Sequence, residues 1–273
     1  MKFIKSHGLG NDYLTLHICD GALSPSLVRR ICHRNTGVGG DGILEPVDSA
    51  VADFGLRIWN PDGSLAEKSG NGLRIFARYL VDHRDAPPSF TVEVASGVVD
   101  CQVDEDAISV EMGRATFAPA EIPTRQRLWR STFPIRGTEL EATAVGVGNP
   151  HCVIWFPPET ELDGLPWRQW GPAIENHSAF PNRTNVQFVR VSGPQALEMR
   201  IWERGAGETS ASGSSSCAVA AAAVALGALS PGPITVQMPG GTLEVTVRAD
   251  MTLRLRGPVA VVCEIEIASG WLG

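Results

Sequence analysis

An internal repeat between the two halves of the chain is the feature that most constrains its fold. Three pairs of short segments recur in the same order. They are Gly8-Leu9-Gly10-Asn11 with Gly146-Val147-Gly148-Asn149, Arg57-Ile58-Trp59-Asn60 with Arg200-Ile201-Trp202-Glu203, and Ser69-Gly70 with Ser212-Gly213. The first pair is offset by 138 positions and the other two by 143. Repetition of this kind predicts two homologous domains, and 273 residues are enough for two.

Hydrophobic patterning predicts an α+β fold in which strands predominate. Each Ser-Gly pair precedes an apolar helical stretch, at 71–83 and 214–229, and two shorter helices are expected at 24–33 and 167–175. Alternating or β-branched runs predict strands at Phe90–Val94, Ala107–Met112, Ile234–Met238 and Leu243–Val247. The segment Pro119–Arg130 shows no clear periodicity and is the candidate linker, which places the domain boundary between residues 115 and 116.

The charge, cysteine and histidine content of the chain argues against several classes of binding partner. The net charge of −7 and the pI near 5.4 argue against nucleic acid or an anionic membrane, because both bind basic surfaces. Six scattered cysteines form no Cys-x-x-Cys pair, and the histidines show no metal-ligand spacing. We therefore expect a cytoplasmic protein without an export signal, a spanning segment or a metal, and with a small-molecule partner.

The two Ser-Gly turns are candidate anion sites. A glycine-rich turn before a helix presents backbone N–H groups at the positive end of the helix dipole. Neither turn is followed by the Lys-Ser or Lys-Thr of a Walker loop, and neither has the spacing of a dinucleotide site. The alternative is that Gly70, Gly72 and Gly213 serve only tight turns. The repeat favours a functional interpretation.

Seven segments carry a resemblance to a known family. They are His7–Asp12, Gly37–Gly42, Asn60–Ser64, Gly70–Arg74, Gly148–His151, Asn185–Val186 and Glu203–Thr209. In these segments, and along residues 1–273, the chain resembles the diaminopimelate epimerases, which are cofactor-independent amino-acid isomerases. The resemblance implies two pseudo-symmetric domains, each a β-barrel-like sheet around a central helix, with the active site in the cleft between them. It also implies that a terminal strand at 264–273 returns to domain 1, which, with the boundary at the linker, gives domain 1 as 1–115 with 264–273 and domain 2 as 116–263.

The resemblance also assigns the catalytic positions. In that family two cysteines, one per domain, exchange the proton on the substrate α-carbon from opposite faces, and here both positions are serine, at Ser69 and Ser212. The groups that tune these positions in the family correspond to His151 for position 69 and Glu203 for position 212. A serine hydroxyl is a far weaker acid than a thiol, so the substitution bears directly on the chemistry.

Further residues are expected to hold the substrate. The resemblance assigns asparagine side chains and helix N-terminal amides to its amino and carboxylate groups, and an arginine to its distal carboxylate. The positions are Asn11, Asn60, Gly70, Asn71, Asn149, Asn185, Arg204, Gly213 and Ser214. No lysine lies in a recognisable cofactor context, so no cofactor is expected. Lys68 is singled out because it directly precedes Ser69.

The function implied is conversion of LL- to meso-diaminopimelate, a step toward lysine and cell-wall precursors. The serines leave three alternatives open: a relative with a different amino-acid reaction such as dehydration or isomerisation, an inactive ligand-binding relative, and a Cys→Ser variant of an epimerase. A serine hydrolase is disfavoured because neither serine lies in a Gly-x-Ser-x-Gly elbow. A homodimer is left open.

Overall fold

The computed structural model describes residues 1–18 and 21–271. The chain forms two compact units. Unit 1 comprises Met1–Glu111 and the segment from Gly257 onward, and unit 2 comprises Met112–Arg256. The sequence placed these divisions a few residues later, at 115/116 and 263/264.

Within the part of the chain that the structure describes, the two units contain four α-helices and eighteen strands. The helices are α1 (Pro25–Cys32), α2 (Gly70–Arg84), α3 (Trp167–Glu175) and α4 (Gly213–Ala225). The strands are β1 (Lys2–Gly8), β2 (Asn11–Ile18), β3 (Ile43–Val47), β4 (Phe54–Trp59), β5 (Leu65–Ala66), β6 (Ser89–Val94), β7 (Gly97–Val103), β8 (Ile108–Arg114), β9 (Ser131–Ile135), β10 (Thr138–Gly146), β11 (Pro150–Trp155), β12 (Asn185–Gly193), β13 (Ala196–Glu203), β14 (Gly207–Thr209), β15 (Gly232–Met238), β16 (Gly241–Val247), β17 (Thr252–Gly257) and β18 (Ala260–Glu266).

The strands of both units follow one topology. In unit 1 the order is β18-β1-β2-β3-β4-β6-β7-β8, with β5 also paired to β4. In unit 2 it is β9-β10-β11-β12-β13-β15-β16-β17, with β14 also paired to β13. Only the third and fifth pairings of each series, β2/β3 and β4/β6 or β11/β12 and β13/β15, are parallel. The helices fall at matching points of the series, and the predicted pseudo-symmetric α+β fold is confirmed.

The central helix of unit 2 is buried because its side chains are small and apolar. Residues Cys217 to Ala223 are fully buried, and α4 packs against six strands of its unit, β10 to β13, β15 and β16. Alanine combines high helix propensity with little bulk, so the strands can approach closely. The helix ends at Ala225 rather than at the predicted residue 229, because Gly227 adopts a φ of 73° that an α-helix cannot continue.

Two sequence expectations are corrected by the structure. The proposed linker belongs to the body of unit 2, since Ile122 and Leu128 are buried in its hydrophobic core. The terminal strand is β18, which pairs with β1 and spans Ala260–Glu266 rather than 264–273; residues 272 and 273 lie outside the described residues. Among residues 1–18 and 21–271, no helix has the length and apolar character required to cross a membrane.

Candidate active site

Ser69 is the N-cap of α2 in unit 1. Its backbone is extended, with φ −139° and ψ 118°, and its Oγ accepts the Gly72 amide at 3.0 Å. Serine is among the best N-cap residues because its short side chain reaches the otherwise unpaired amides of the first turn. The Tyr13 hydroxyl lies 3.2 Å from the same Oγ. The hydroxyl of Ser69 therefore lies within hydrogen-bond distance of the Tyr13 phenol.

Ser212 occupies the corresponding place at the start of α4. Its φ of −146° and ψ of 122° nearly repeat those of Ser69, and its Oγ accepts the Ser215 amide at 3.4 Å. The same hydroxyl donates to Glu203 Oε2 at 3.0 Å. The structure thus brings together Ser212 and Glu203, as the sequence predicted, and places a carboxylate rather than a phenol on this serine.

Backbone amides for an anion lie at the start of both helices. Gly70 and Asn71 follow Ser69 as the first residues of α2, and Gly213 and Ser214 follow Ser212 in α4. The first amides of an α-helix have no acceptor within the helix. They point outward at the positive end of the helix dipole, which suits a carboxylate.

Asn11 and Asn71 are linked in a directed chain of hydrogen bonds. Arg74 Nη2 donates to Asn71 Oδ1 at 2.8 Å, Asn71 Nδ2 to Asn11 Oδ1 at 3.0 Å, and Asn11 Nδ2 to Asp41 Oδ2 at 2.8 Å. Arg34 closes the chain by donating to Asp41 Oδ1 at 2.7 Å. A guanidinium can only donate and a carboxylate can only accept, so both amide orientations are fixed.

Asp12 lies beside this chain and is ionised in the folded protein. Burial acts to raise its pKa, but the hydrogen bonds and charges of Arg34 and Lys5 outweigh burial, and the pKa lies below the usual value. The contacts are 2.7 Å from Arg34 and 3.0 Å from Lys5. The segment that precedes Tyr13 is therefore anchored by ion pairs.

His151 is fully buried in unit 2 with both ring nitrogens engaged. Its Nε2 lies 2.8 Å from Asn149 Oδ1, and its Nδ1 lies 3.0 Å from Gln187 Nε2. Gln187 Nε2 also contacts Ser215 Oγ at 3.0 Å. Burial lowers the pKa of His151 to about 3, so the ring is neutral near pH 7. Its expected pairing with Ser69, which belongs to the other unit, stays a prediction.

Asn185 holds the backbone on either side of the unit 2 site. Its Oδ1 accepts the Arg204 amide at 2.9 Å, and its Nδ2 donates to the Pro150 carbonyl at 3.0 Å. Buried Glu175 accepts the Gly205 amide at 2.9 Å. The Arg204 side chain is exposed and donates to the Asn182 carbonyl at 3.3 Å. Arg204 thus combines a fixed backbone with an accessible guanidinium.

Asn60, Lys68 and Glu208 each have hydrogen-bond partners within their own unit. Asn60 Nδ2 donates to Ser64 Oγ at 3.0 Å in the turn between β4 and β5. Lys68 Nζ donates to the Glu111 carbonyl at 3.0 Å. Glu208 accepts two hydrogen bonds from Arg168, at 2.7 and 2.8 Å. Within residues 1–18 and 21–271, no three His, Cys, Asp or Glu side chains are grouped closely enough to hold a metal ion.

Tyr13, Asp41, Gln187 and Ser215 are the site residues that the sequence analysis missed. Tyr13 could have been found from the repeat, because it stands 138 positions before His151, the same offset as that between Asn11 and Asn149. Asp41 lies in the motif segment Gly37–Gly42 but was not singled out there, and Gln187 and Ser215 carry no local signal. Their contacts depend on strand pairing and helix placement.

Comparison with solved structures defines the class of fold. A PhzF-family phenazine biosynthesis protein from Bacillus anthracis superposes with a TM-score of 0.72 at 18% identity and covers 98% of this chain and 99% of that chain. A probable proline racemase from Agrobacterium radiobacter gives a TM-score of 0.73 at 14% identity, over 98% and 93% of the two chains. The fold is therefore the one that these proteins share.

Sequence comparison identifies the family within that fold. The profile described as "Diaminopimelate epimerase" matches residues 3–118 and 143–262. A relative named diaminopimelate epimerase 2 from Nostoc sp. is 43% identical over 98% of this chain and 96% of its own length. A diaminopimelate epimerase from Desulfitobacterium hafniense is 38% identical over 96% of both chains. The chain belongs to the diaminopimelate epimerase family, as the sequence motifs indicated.

Proposed function

We propose that this chain is a cofactor-independent isomerase that interconverts LL- and meso-diaminopimelate by exchanging the proton on one α-carbon. The observation that carries the proposal is the 43% identity with a diaminopimelate epimerase along 98% of this chain. The substrate is a small amino acid with two carboxylates. The helix N-terminal amides and the exposed Arg204 guanidinium are the groups that suit such a ligand.

Proton removal is assigned to Ser212 together with Glu203. The α C–H bond breaks as the proton moves to Ser212 Oγ, and the hydroxyl proton of Ser212 passes to Glu203 Oε2, 3.0 Å away. The electron pair stays on the substrate and delocalises into its carboxylate. The amides of Gly213 and Ser214 stabilise the charge that develops there.

Proton return is assigned to Ser69 together with Tyr13. The Ser69 hydroxyl protonates the α-carbon, and Tyr13, 3.2 Å away, replaces the proton that Ser69 gives up. Exchange with water then restores Tyr13 and deprotonates Glu203. A phenol has a reference pKa near 10, so this side delivers protons more readily than it removes them.

The proposal is tested by deuterium incorporation into LL-diaminopimelate in D₂O, followed by mass spectrometry. We expect the protein to exchange the α-hydrogen and Ser69→Cys/Ser212→Cys to exchange it about 10²-fold faster or more, because a thiolate forms at much lower pH than an alkoxide. The Ser69→Ala/Ser212→Ala variant is the matched negative control.

The other outcomes separate the alternatives. Exchange by the cysteine variant alone would mean that the protein as given only binds its ligand. Exchange by neither protein would show that diaminopimelate is not the substrate. Exchange that survives in the alanine control would remove the serines from the mechanism.

A cytoplasmic homodimer completes the proposal. Strand β18 is exposed at every residue but Ile265, with Val261 50% and Val262 54% exposed. An exposed apolar strand favours association with a second copy. Cys32, Cys101 and Cys152, which are buried, and the exposed Cys263 are free thiols, as expected in a reducing compartment. Light scattering should give a dimer mass, and Val262→Lys should lower it to that of a monomer; a monomeric parent protein would contradict the proposal.

A further inference from the structure

A buried polar relay in unit 2 connects Ser215 to Asn149 through Gln187 and His151. All three contacts measure between 2.8 and 3.0 Å. Ser215, Gln187 and His151 are fully buried, whereas Asn149 is half-buried. The relay therefore starts in the core and ends at a predicted substrate-binding side chain.

The direction of the relay follows from counting donors. Gln187 Nε2 carries two hydrogens and lies between Ser215 Oγ and His151 Nδ1, whereas Gln187 Oε1 is buried with no hydrogen-bond partner among the described residues. Turning the amide around would bury two N–H donors without acceptors, which costs more than one underused carbonyl oxygen. Gln187 therefore donates to His151 Nδ1.

The other ring nitrogen then has a single possible role. Because Nδ1 accepts, a neutral imidazole must carry its proton on Nε2. That N–H donates to Asn149 Oδ1 at 2.8 Å. The Asn149 amide is thereby fixed with its oxygen toward His151, so its Nδ2 hydrogens remain available to donate to another group.

Unit 1 shows that this polar pair is not required by the fold. The register of β2 with β3 pairs Thr15 with Leu44, and that of β11 with β12 pairs Val153 with Gln187, so Leu44 is the counterpart of Gln187. Gly72 is the counterpart of Ser215 at the offset of 143. A Cβ on Gly72 would lie 3.1 Å from Leu44 Cδ2, so an apolar contact occupies this place in unit 1.

We propose that Gln187 is a positioning residue that sets the Nε2–H tautomer of His151 and, through it, the orientation of the Asn149 amide. His151 on this assignment donates a hydrogen bond to Asn149. Glu203 remains the base assigned to unit 2. The tautomer assignment stands on the contacts alone, while its effect on substrate rests on the proposed function.

The test is ¹⁵N NMR of the histidine rings in the full-length protein. We expect the His151 signal, assigned by its loss in His151→Gln, to show a protonated Nε2 and an unprotonated Nδ1 that does not titrate between pH 5 and 8. In Gln187→Glu a carboxylate replaces the donor, so Nδ1 should gain a proton. In Ser215→Ala the donor to His151 remains and the pattern should not change.

Two results would overturn the proposal. One is a protonated Nδ1 in the unmodified protein, which decides the matter even if Gln187→Glu does not fold. The other is an unchanged ring pattern in a Gln187→Glu variant that retains the parent circular dichroism and melting behaviour.

A kinetic measurement links the relay to substrate. Gln187→Glu should raise KM for diaminopimelate in the exchange assay by about 10-fold or more, with a smaller effect on kcat, because a turned Asn149 no longer donates to a carboxylate. A lowered kcat with unchanged KM would contradict the Asn149 step. If the parent protein shows the predicted tautomer but no turnover, the proposed function fails while the relay stands.

Discussion

Ser69 and Ser212 share a backbone geometry and a capping role, yet their hydroxyls meet different groups. Ser69 faces the Tyr13 phenol at 3.2 Å, and Ser212 faces the Glu203 carboxylate at 3.0 Å. The counterpart of Glu203 in unit 1 is Asn60, which holds the turn beside it. Duplication has thus preserved the helix N-terminus and changed the chemistry that surrounds it. The carboxylate partner, which can act as a base at neutral pH, therefore lies in unit 2.

The sharpest test of this difference removes one partner on each side. Glu203→Gln should lower the rate of α-proton exchange by about 10²- to 10⁴-fold, because the base is lost while the side-chain volume is kept. Tyr13→Phe removes a neutral hydrogen bond and should cost about 10-fold or less. Equal losses in the deuterium assay would show that the two serines do not differ in their chemistry.

Acid unfolding should distinguish the contributions of His151 and Asp12 by pH range. The pKa of His151 is depressed from 6.5 to about 3 in the folded state, so unfolding takes up a proton and stability falls as the pH drops between those values. The slope should reach about 1.4 kcal/mol for each pH unit. The pKa of Asp12 in unit 1 is also depressed, and its contribution is lost only as the pH falls below 3.8.

Urea unfolding at pH 7 and pH 5 measures this difference. The protonation of His151 on unfolding should lower the free energy of unfolding of the parent protein by about 2 kcal/mol over that interval. Asp12 should contribute no change there, because it titrates at lower pH. His151→Gln should flatten the dependence. An identical slope in that variant would mean that His151 titrates normally.

The capping roles predict smaller and nearly equal effects. Ser69→Ala and Ser212→Ala should each lower the free energy of unfolding by about 1 kcal/mol, and the glycine variants by a few tenths. Because the cap geometries match, any larger loss of stability in Ser212→Ala than in Ser69→Ala measures the hydrogen bond between Ser212 and Glu203. An alanine variant as stable as the parent, measured by urea unfolding, would remove the capping role at that serine.

The smallest effect is expected at Glu208. Its carboxylate is bound by Arg168 in an ion pair with side-chain exposures of 58% and 45%, so Glu208→Gln should change stability by about 0–1 kcal/mol. The exchange rate should not change. A large loss of exchange in the deuterium assay would bring Glu208 into the chemistry of unit 2.

Local patterns were enough to predict the two central helices and the repeat. Ser69-Gly70 and Ser212-Gly213 signal helix starts through chemistry confined to one turn. The contact of Gln187 with His151 spans 36 positions and depends on the parallel register of β11 with β12. Hydrophobic alternation identifies strands but does not specify which strands pair. The relay was therefore beyond the sequence patterns used.

The prediction of a linker before β9 was wrong for a related reason. Residues 119–130 have no periodicity, and that absence suggested a linker, yet Ile122 and Leu128 are buried in the core of unit 2. Irregular backbone can be tightly packed when a few apolar side chains are anchored, and composition alone does not show this.

Strand β18 imposes an order on how the chain can mature during synthesis. Unit 2 is continuous in sequence, whereas β1, near the start, pairs with β18, near the end. Domains usually fold as they leave the ribosome, the first before the second. Here the first half must wait with an unpaired strand edge until residues 260–266 have been synthesised, so the second half completes its sheet earlier. Premature termination after residue 256 would leave unit 2 whole and unit 1 unfinished.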